Sequence, residues 1–89
     1  PLAISMNKFN PEIMIWPNPT TGLCSLQLNN FVGNNCIKIT DVTGKRILEI
    51  NSISPVNKIN ISEYSAGIYF LSIENEKLQL KRVIKILKM

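Results

Sequence analysis

The sequence predicts an all-β fold, and three observations carry that prediction. Apolar residues recur with period two along most of the chain, the alternation of strands with one buried face. Clusters of Gly, Pro, Asn and Asp break the alternation at short intervals, as turn residues do. Composition agrees: Ile, Val and Thr supply 22 of the 89 residues, whereas alanine, the best helix former, occurs twice. A chain of this length makes one small domain.

Residues 1–12 show neither period, and Pro1, Asn10 and Pro11 suit an exposed lead-in. The first strand is Ile13 to Trp16, closed by Pro17 and followed by the turn Asn18-Pro19-Thr20-Thr21-Gly22. Leu23 to Leu28 comes next, with Cys24, Leu26 and Leu28 on one face and Leu23, Ser25 and Gln27 on the other. After a loop around Phe31 and Val32, Cys36 to Asp41 puts Ile37 and Ile39 into the core. The turn Asp41-Val42-Thr43-Gly44 leads into Arg46 to Ile50, and Val56 to Ile61 then adds Ile59 and Ile61 to the core. Gly67 to Glu74 is apolar on both faces and reads as a central strand. It pairs through Asn75-Glu76 with a last strand from Lys77 to Leu87. Seven short strands fit an immunoglobulin-like antiparallel β-sandwich of two sheets better than a barrel or an α/β unit.

Absences narrow the function. With no histidine, Ser-His-Asp and Cys-His catalysis and His-ligated zinc are excluded. Two cysteines cannot build a four-thiolate site, and no motif calls for a cofactor. No apolar run exceeds four residues, far short of a membrane-spanning helix, and no direct membrane insertion is expected. The six carboxylates are scattered, which places an enzyme last among the readings. The chain begins Pro-Leu-Ala and shows no signal peptide, and it reads as a fragment of something longer. Were the second and third strands a hairpin pairing Leu28 with Cys36, Cys24 would face Thr40; that register opposes a disulfide and leaves Cys24 as a core thiol.

Three segments stand out. In Trp16-Pro17-Asn18-Pro19-Thr20-Thr21-Gly22 the prolines stiffen the chain, and Gly22 can take the positive φ that starts the next strand. This is either a rigid turn anchored by Trp16 in the core or a preorganised recognition loop. In Asp41-Val42-Thr43-Gly44-Lys45, Asp41 can accept from amides two and three residues on, and Gly44 supplies the left-handed position. One carboxylate falls far short of a calcium site.

The third segment holds the charge. The net +4 could reflect A/T-rich codons, since Ile, Lys and Asn make up 33 residues. But Lys77, Lys81, Arg82, Lys85 and Lys88, half of the ten cations, fall in the last 13 residues without one acid. Lysines can blunt an edge strand against aggregation; they can also offer a partner a cationic edge for strand pairing. No aromatics interleave them, which argues against nucleic acid.

In this order, Ile15 to Gly22, Ile37 to Lys45, Gly67 to Ile73 and Lys81 to Lys85 resemble the C-terminal sorting domain of the type IX secretion system, type A, of the Bacteroidota. Trp16 stands where that family commonly has Tyr or Phe, and Thr40 where it often has an aromatic residue. The resemblance implies an address rather than an enzyme. Residues 1–12 become the linker from a preceding cargo and residues 13–89 the sorting domain. It implies passage through the periplasm, transport by the outer-membrane translocon, and removal by a sortase-like peptidase with the cargo left at the cell surface or released. Cleavage would fall in or just before the linker. By motif match, the recognition residues are Pro17, Asn18, Pro19 and Gly22, then Asp41, Gly44 and Lys45, then Gly67 and Tyr69, then Lys81, Arg82 and Lys85. A monomeric domain without a cofactor is expected. A different class of function, an immunoglobulin-like accessory module that binds carbohydrate or protein for a secreted enzyme, remains open beside it.

Overall fold

The computed structural model describes residues 10–89. In chain order the strands are β1 (Glu12–Trp16), β2 (Leu23–Asn29), β3 (Asn35–Asp41), β4 (Arg46–Ser52), β5 (Val56–Asn60), β6 (Gly67–Asn75) and β7 (Leu80–Lys88). They form two antiparallel sheets, ordered β1-β2-β5 and β4-β3-β6-β7. β3 pairs with both β4 and β6, and β2 with both β1 and β5, so the chain crosses between sheets after β2, β4 and β5. This is the expected immunoglobulin-like sandwich. The expected lead-in lies, through residue 9, outside the described residues, and Glu12 already belongs to β1.

Alternation fills the space between the sheets. Cys24, Leu26 and Leu28 of β2 and Ile59 of β5 face Ile37 and Ile39 of β3, Tyr69, Leu71 and Ile73 of β6, and Ile86 of β7. Ile61, just past β5, and Phe31, in the β2–β3 loop, close the ends. Each fully buried Ile or Leu contributes roughly 1.5–3 kcal/mol of hydrophobic stabilisation. Both cysteines are free, and burial pushes the Cys24 thiol above its ordinary pKa.

Four expectations are corrected. β2 and β3 are not a hairpin but lie in different sheets, so no Leu28–Cys36 register exists. Trp16 is not a core anchor: Ile13 and Ile15 take the inward phase of β1, and Trp16, opposite Ser25, is 45% exposed on the outer face. The last strand starts at Leu80 rather than Lys77. Glu76 to Gln79 form a four-residue turn, closed by Gln79 N–H donating to the Glu76 carbonyl (3.1 Å), with Gln79 at φ 50°. Finally, β6 is central in its sheet but covered on one side only, since Ile68 (38%) and Phe70 (36%) remain exposed on the outer face.

Two polar devices hold the frame. A register shift after Ile39 makes a bulge in β4, and Tyr64 Oη donates to the Ile47 carbonyl there (3.1 Å). At the far end of the larger sheet, Asn35 and Asn75 stand opposite each other, each 1% exposed. Asn75 Nδ2 donates to Asn35 Oδ1 and to the Val32 carbonyl (both 2.8 Å), and Asn75 Oδ1 accepts from Leu78 N–H (2.9 Å). One amide thus ties β3, the β2–β3 loop and the β6–β7 turn together.

Candidate recognition surface

Between β1 and β2, both in the smaller sheet, the chain reaches over to the edge of the larger one and returns. Pro17 and Pro19 have no N–H, and the Asn18 side chain supplies what the backbone cannot. Its Nδ2 donates to the Lys85 carbonyl (3.0 Å), and its Oδ1 accepts from Leu87 N–H (3.1 Å). One side-chain amide thus acts as a peptide unit against β7. Thr20 continues the pairing in parallel with Lys88, its N–H donating to the Leu87 carbonyl (2.9 Å) and its carbonyl accepting from Met89 N–H (2.8 Å). Buried Thr20 also donates through Oγ1 to the Leu23 carbonyl and accepts from Gly22 N–H. The turn is therefore a clamp on the last strand.

Gly22 fits where a side chain would not. Its φ is 141°, and a Cβ there would lie 2.6 Å from Ser62 Cα and 2.7 Å from Ser62 Cβ. The Gly22 carbonyl meanwhile accepts from Ile61 N–H (2.8 Å), which draws the β5–β6 connection against the clamp.

In the β3–β4 turn one carboxylate oxygen gathers three donors. Asp41 Oδ1 accepts from Thr43 N–H (2.9 Å), Thr43 Oγ1 (2.6 Å) and Lys45 N–H (3.0 Å). The amides bound by the side chain are thus two and four residues on; the third, Gly44 N–H, donates to the Asp41 carbonyl (3.0 Å). The Thr43 hydroxyl holds the Asp41 carboxyl below the ordinary aspartate pKa; desolvation is the next influence and opposes it, and the Lys45 and Thr43 amides and the Lys45 charge add smaller downward pulls. Thr43→Ala is expected to move the Asp41 titration midpoint back up, read from carboxyl NMR shifts. An unchanged midpoint would show that the hydroxyl is not the main cause.

The pairing Gly67↔Lys88, Asp41↔Tyr69 and Thr20↔Lys88 gathers most of the motif residues at one end of the sandwich. The proline turn, the Asp41–Lys45 turn, Gly67 and Tyr69 lie there, and Asp41, Lys45, Gly67 and Tyr69 are among the residues that line a hollow of about 280 Å³. Tyr69 itself is buried, and its hydroxyl donates to the Ser65 carbonyl (2.5 Å), the corner contact of immunoglobulin-like sandwiches.

The basic residues do not form one surface. Lys85 stands on the outer face opposite Phe70, and Lys81, nearer the other end, stands opposite Glu74 with Nζ 3.8 Å from Glu74 Oε1. That exposed pair contributes little stability. Arg82 falls on the opposite phase and is exposed, Lys77 lies in the turn, and Lys88 is largely buried. Lys81 borders a larger open cleft of about 870 Å³ with Cys36, Glu74, Glu76 and Lys77, remote from the other motifs. The Asn35–Asn75 pair and the Thr20 junction were not singled out from the sequence. Asn35 and Asn75 do continue the inward phases of Ile37 and Ile73, and that was the available signal.

The fold is thus a seven-stranded immunoglobulin-like sandwich whose first turn is bonded to its last strand. Comparison makes this specific. The family described as secretion system C-terminal sorting domain matches residues 14–87, and the chain belongs to it. Its members are sorting domains of type IX secretion, not enzymes, which ties the chain to the secretion machinery and to the cell surface or the exterior. Among solved structures the chain is similar to PorZ, an essential bacterial surface component of the type IX secretion system of Porphyromonas gingivalis. The TM-score is 0.71 at 20% identity, over 86% of this chain and 11% of that one. That likeness speaks to the fold. No curated protein matches the chain.

Proposed function

We propose that this domain is the export address of a cargo attached upstream. It is read in the periplasm by the outer-membrane translocon and cut by a sortase-like peptidase in or just before residues 1–12. One observation supports this reading above the others. Asn18 and Thr20 fasten the proline turn to Lys85, Leu87 and Met89, so two of the segments that carry the resemblance are held together as a single unit. In this reading Gly22, Gly44, Gly67 and Tyr69 shape that unit, while Pro17, Pro19, Lys45, Lys81, Arg82 and Lys85 are open to a reader. The domain itself does no chemistry.

Deleting residues 77–89 from a cargo fusion is expected to leave the cargo in the periplasm. Changing Lys81, Arg82 and Lys85 together to Gln is expected to abolish export while the domain stays folded. A deletion mutant that still reaches the surface would sink the proposal; export of the folded triple variant would move recognition from charge to shape.

A second reading, the accessory module, draws on the exposed ring of Trp16 on the outer face of β1 beside the Ser25–Lys58 pair. An exposed indole with its polar N–H suits an interface with one apolar and one wet side, and in this reading it would stack on a sugar ring. Mass spectrometry of the secreted cargo separates the two, because an export address is absent from the mature protein and a module is retained.

A further inference from the structure

The stretch of β7 that the proline turn leaves uncovered is an unfinished sheet edge. In an antiparallel strand both backbone groups of alternate residues point to the same side. Leu87 directs its N–H and carbonyl away from β6, to Asn18 and Thr20, and the β6–β7 register runs unshifted from Gly67↔Lys88 to Asn75↔Leu80. Lys85, Val83 and Lys81 therefore turn their backbone groups to that same outer side. Asn18 takes the Lys85 carbonyl. The Lys85 N–H and both groups of Val83 and Lys81 have no partner among the described residues, because β7 ends its sheet.

The side chains around this edge favour one kind of occupant. Lys81, Val83 and Lys85 all project on the outer face, and Val83, opposite Ser72 and diagonal to the exposed Phe70, is 58% exposed. We propose that the edge from Lys81 to Lys85 accepts an extended acidic segment of a partner protein as an eighth, antiparallel strand. Carboxylates would stand opposite Lys81 and Lys85, with an apolar residue opposite Val83. This rests on reading the domain as a docked export address and names the chemistry of what docks.

Two features set the choice. Asn18 and Thr20 block the edge beyond Lys85, which fixes where the incoming strand must stop. A second copy of the chain is a poor occupant, since two-fold pairing about Val83 puts Lys81 against Lys85 of the other copy, a like-charge cross-strand contact. The lysines that repel other edges thus select for an acidic one.

The probe is a terminally blocked peptide with the core Glu-Thr-Val-Thr-Glu, with controls in which both Glu are Lys or the order is Glu-Glu-Val-Thr-Thr. Added to the ¹⁵N-labelled chain, the first is expected to slow hydrogen exchange at the Lys81, Val83 and Lys85 amides by about tenfold or more, and the controls to leave it unchanged. Val83→Pro removes an outward N–H that makes no ladder bond, a position where an edge strand tolerates proline. It is expected to weaken the peptide by about tenfold. Should that variant fail to fold, the double change Lys81→Glu and Lys85→Glu keeps the backbone and should exchange preference from the acidic to the lysine peptide.

Absence of binding, binding without protection of those three amides, equal binding of the reordered peptide, or dimerisation of the chain through β7 would each overturn the proposal. In cargo fusions, export that survives Val83→Pro but not deletion of residues 77–89 overturns strand addition and leaves the export reading standing. Export that survives both overturns the export reading.

Discussion

Gly22→Ala is expected to destabilise the domain by about 3 kcal/mol, from two costs of roughly 1–3 kcal/mol each. One is backbone strain, since φ at Gly22 is 141°, where an L side chain is disfavoured. The other is collision, because the new methyl would lie 2.6 Å and 2.7 Å from Ser62 Cα and Cβ. Those atoms are backbone or next to it, and the Ile61 N–H to Gly22 carbonyl bond stops that segment from backing away. Gly44→Ala is the control. Gly44 also has positive φ, 88°, but nothing lies within 4 Å of its Cβ position, so only the conformational cost of about 1–2 kcal/mol applies. For a domain of this size the Gly22 variant should melt roughly 12–24 °C lower, and clearly below the Gly44 variant. Equal losses in the two, by thermal or urea unfolding, would show that the approach to Ser62 relaxes freely.

Asn75→Ala is expected to cost about 2–4 kcal/mol, because it removes three hydrogen bonds at a site 1% exposed. The Val32 carbonyl, Asn35 Oδ1 and Leu78 N–H would lose their partner together. The first and last lie near the end of the sandwich, where water can reach them, which holds the estimate below three full desolvation penalties. Asn35 Oδ1 is buried, so an Asn35→Ala, Asn75→Ala double variant should be less unstable than the sum of the single variants by about 1 kcal/mol. Strict additivity in urea unfolding would mean that the two amides are independent.

The strands were legible in the sequence because period two is a local signal and the core rows are nearly pure. Ile37-Ile39, Tyr69-Leu71-Ile73 and Cys24-Leu26-Leu28 each keep one phase. Partner choice was not local. The loop after Asn29 is short enough for a hairpin, yet it crosses between sheets because β2 is taken on both sides by β1 and β5. The turn at Asn75-Glu76 was visible but its length was not, because Lys77-Leu78-Gln79-Leu80 prolongs the alternation of β7 and the left-handed residue is Gln79 rather than glycine. Trp16 was misplaced by its residue type, although the inward phase of Ile13 and Ile15 already turned it outward. As for the recognition surface, the sequence displayed the proline turn and the basic strand separately. Their union depends on Asn18 reaching 67 residues along the chain to the Lys85 carbonyl, and no spacing rule encodes such a contact.

That union also has a mechanical consequence. Thr20 runs parallel to Lys88, so tension applied along the chain from the β1 side and from the far end of β7 slides the two segments past each other. The bonds from Asn18 and Thr20 to Lys85, Leu87 and Met89 then carry the load in shear, together, rather than opening in turn like a zip. A domain hauled by what it is tethered to is thereby braced along the direction of the pull.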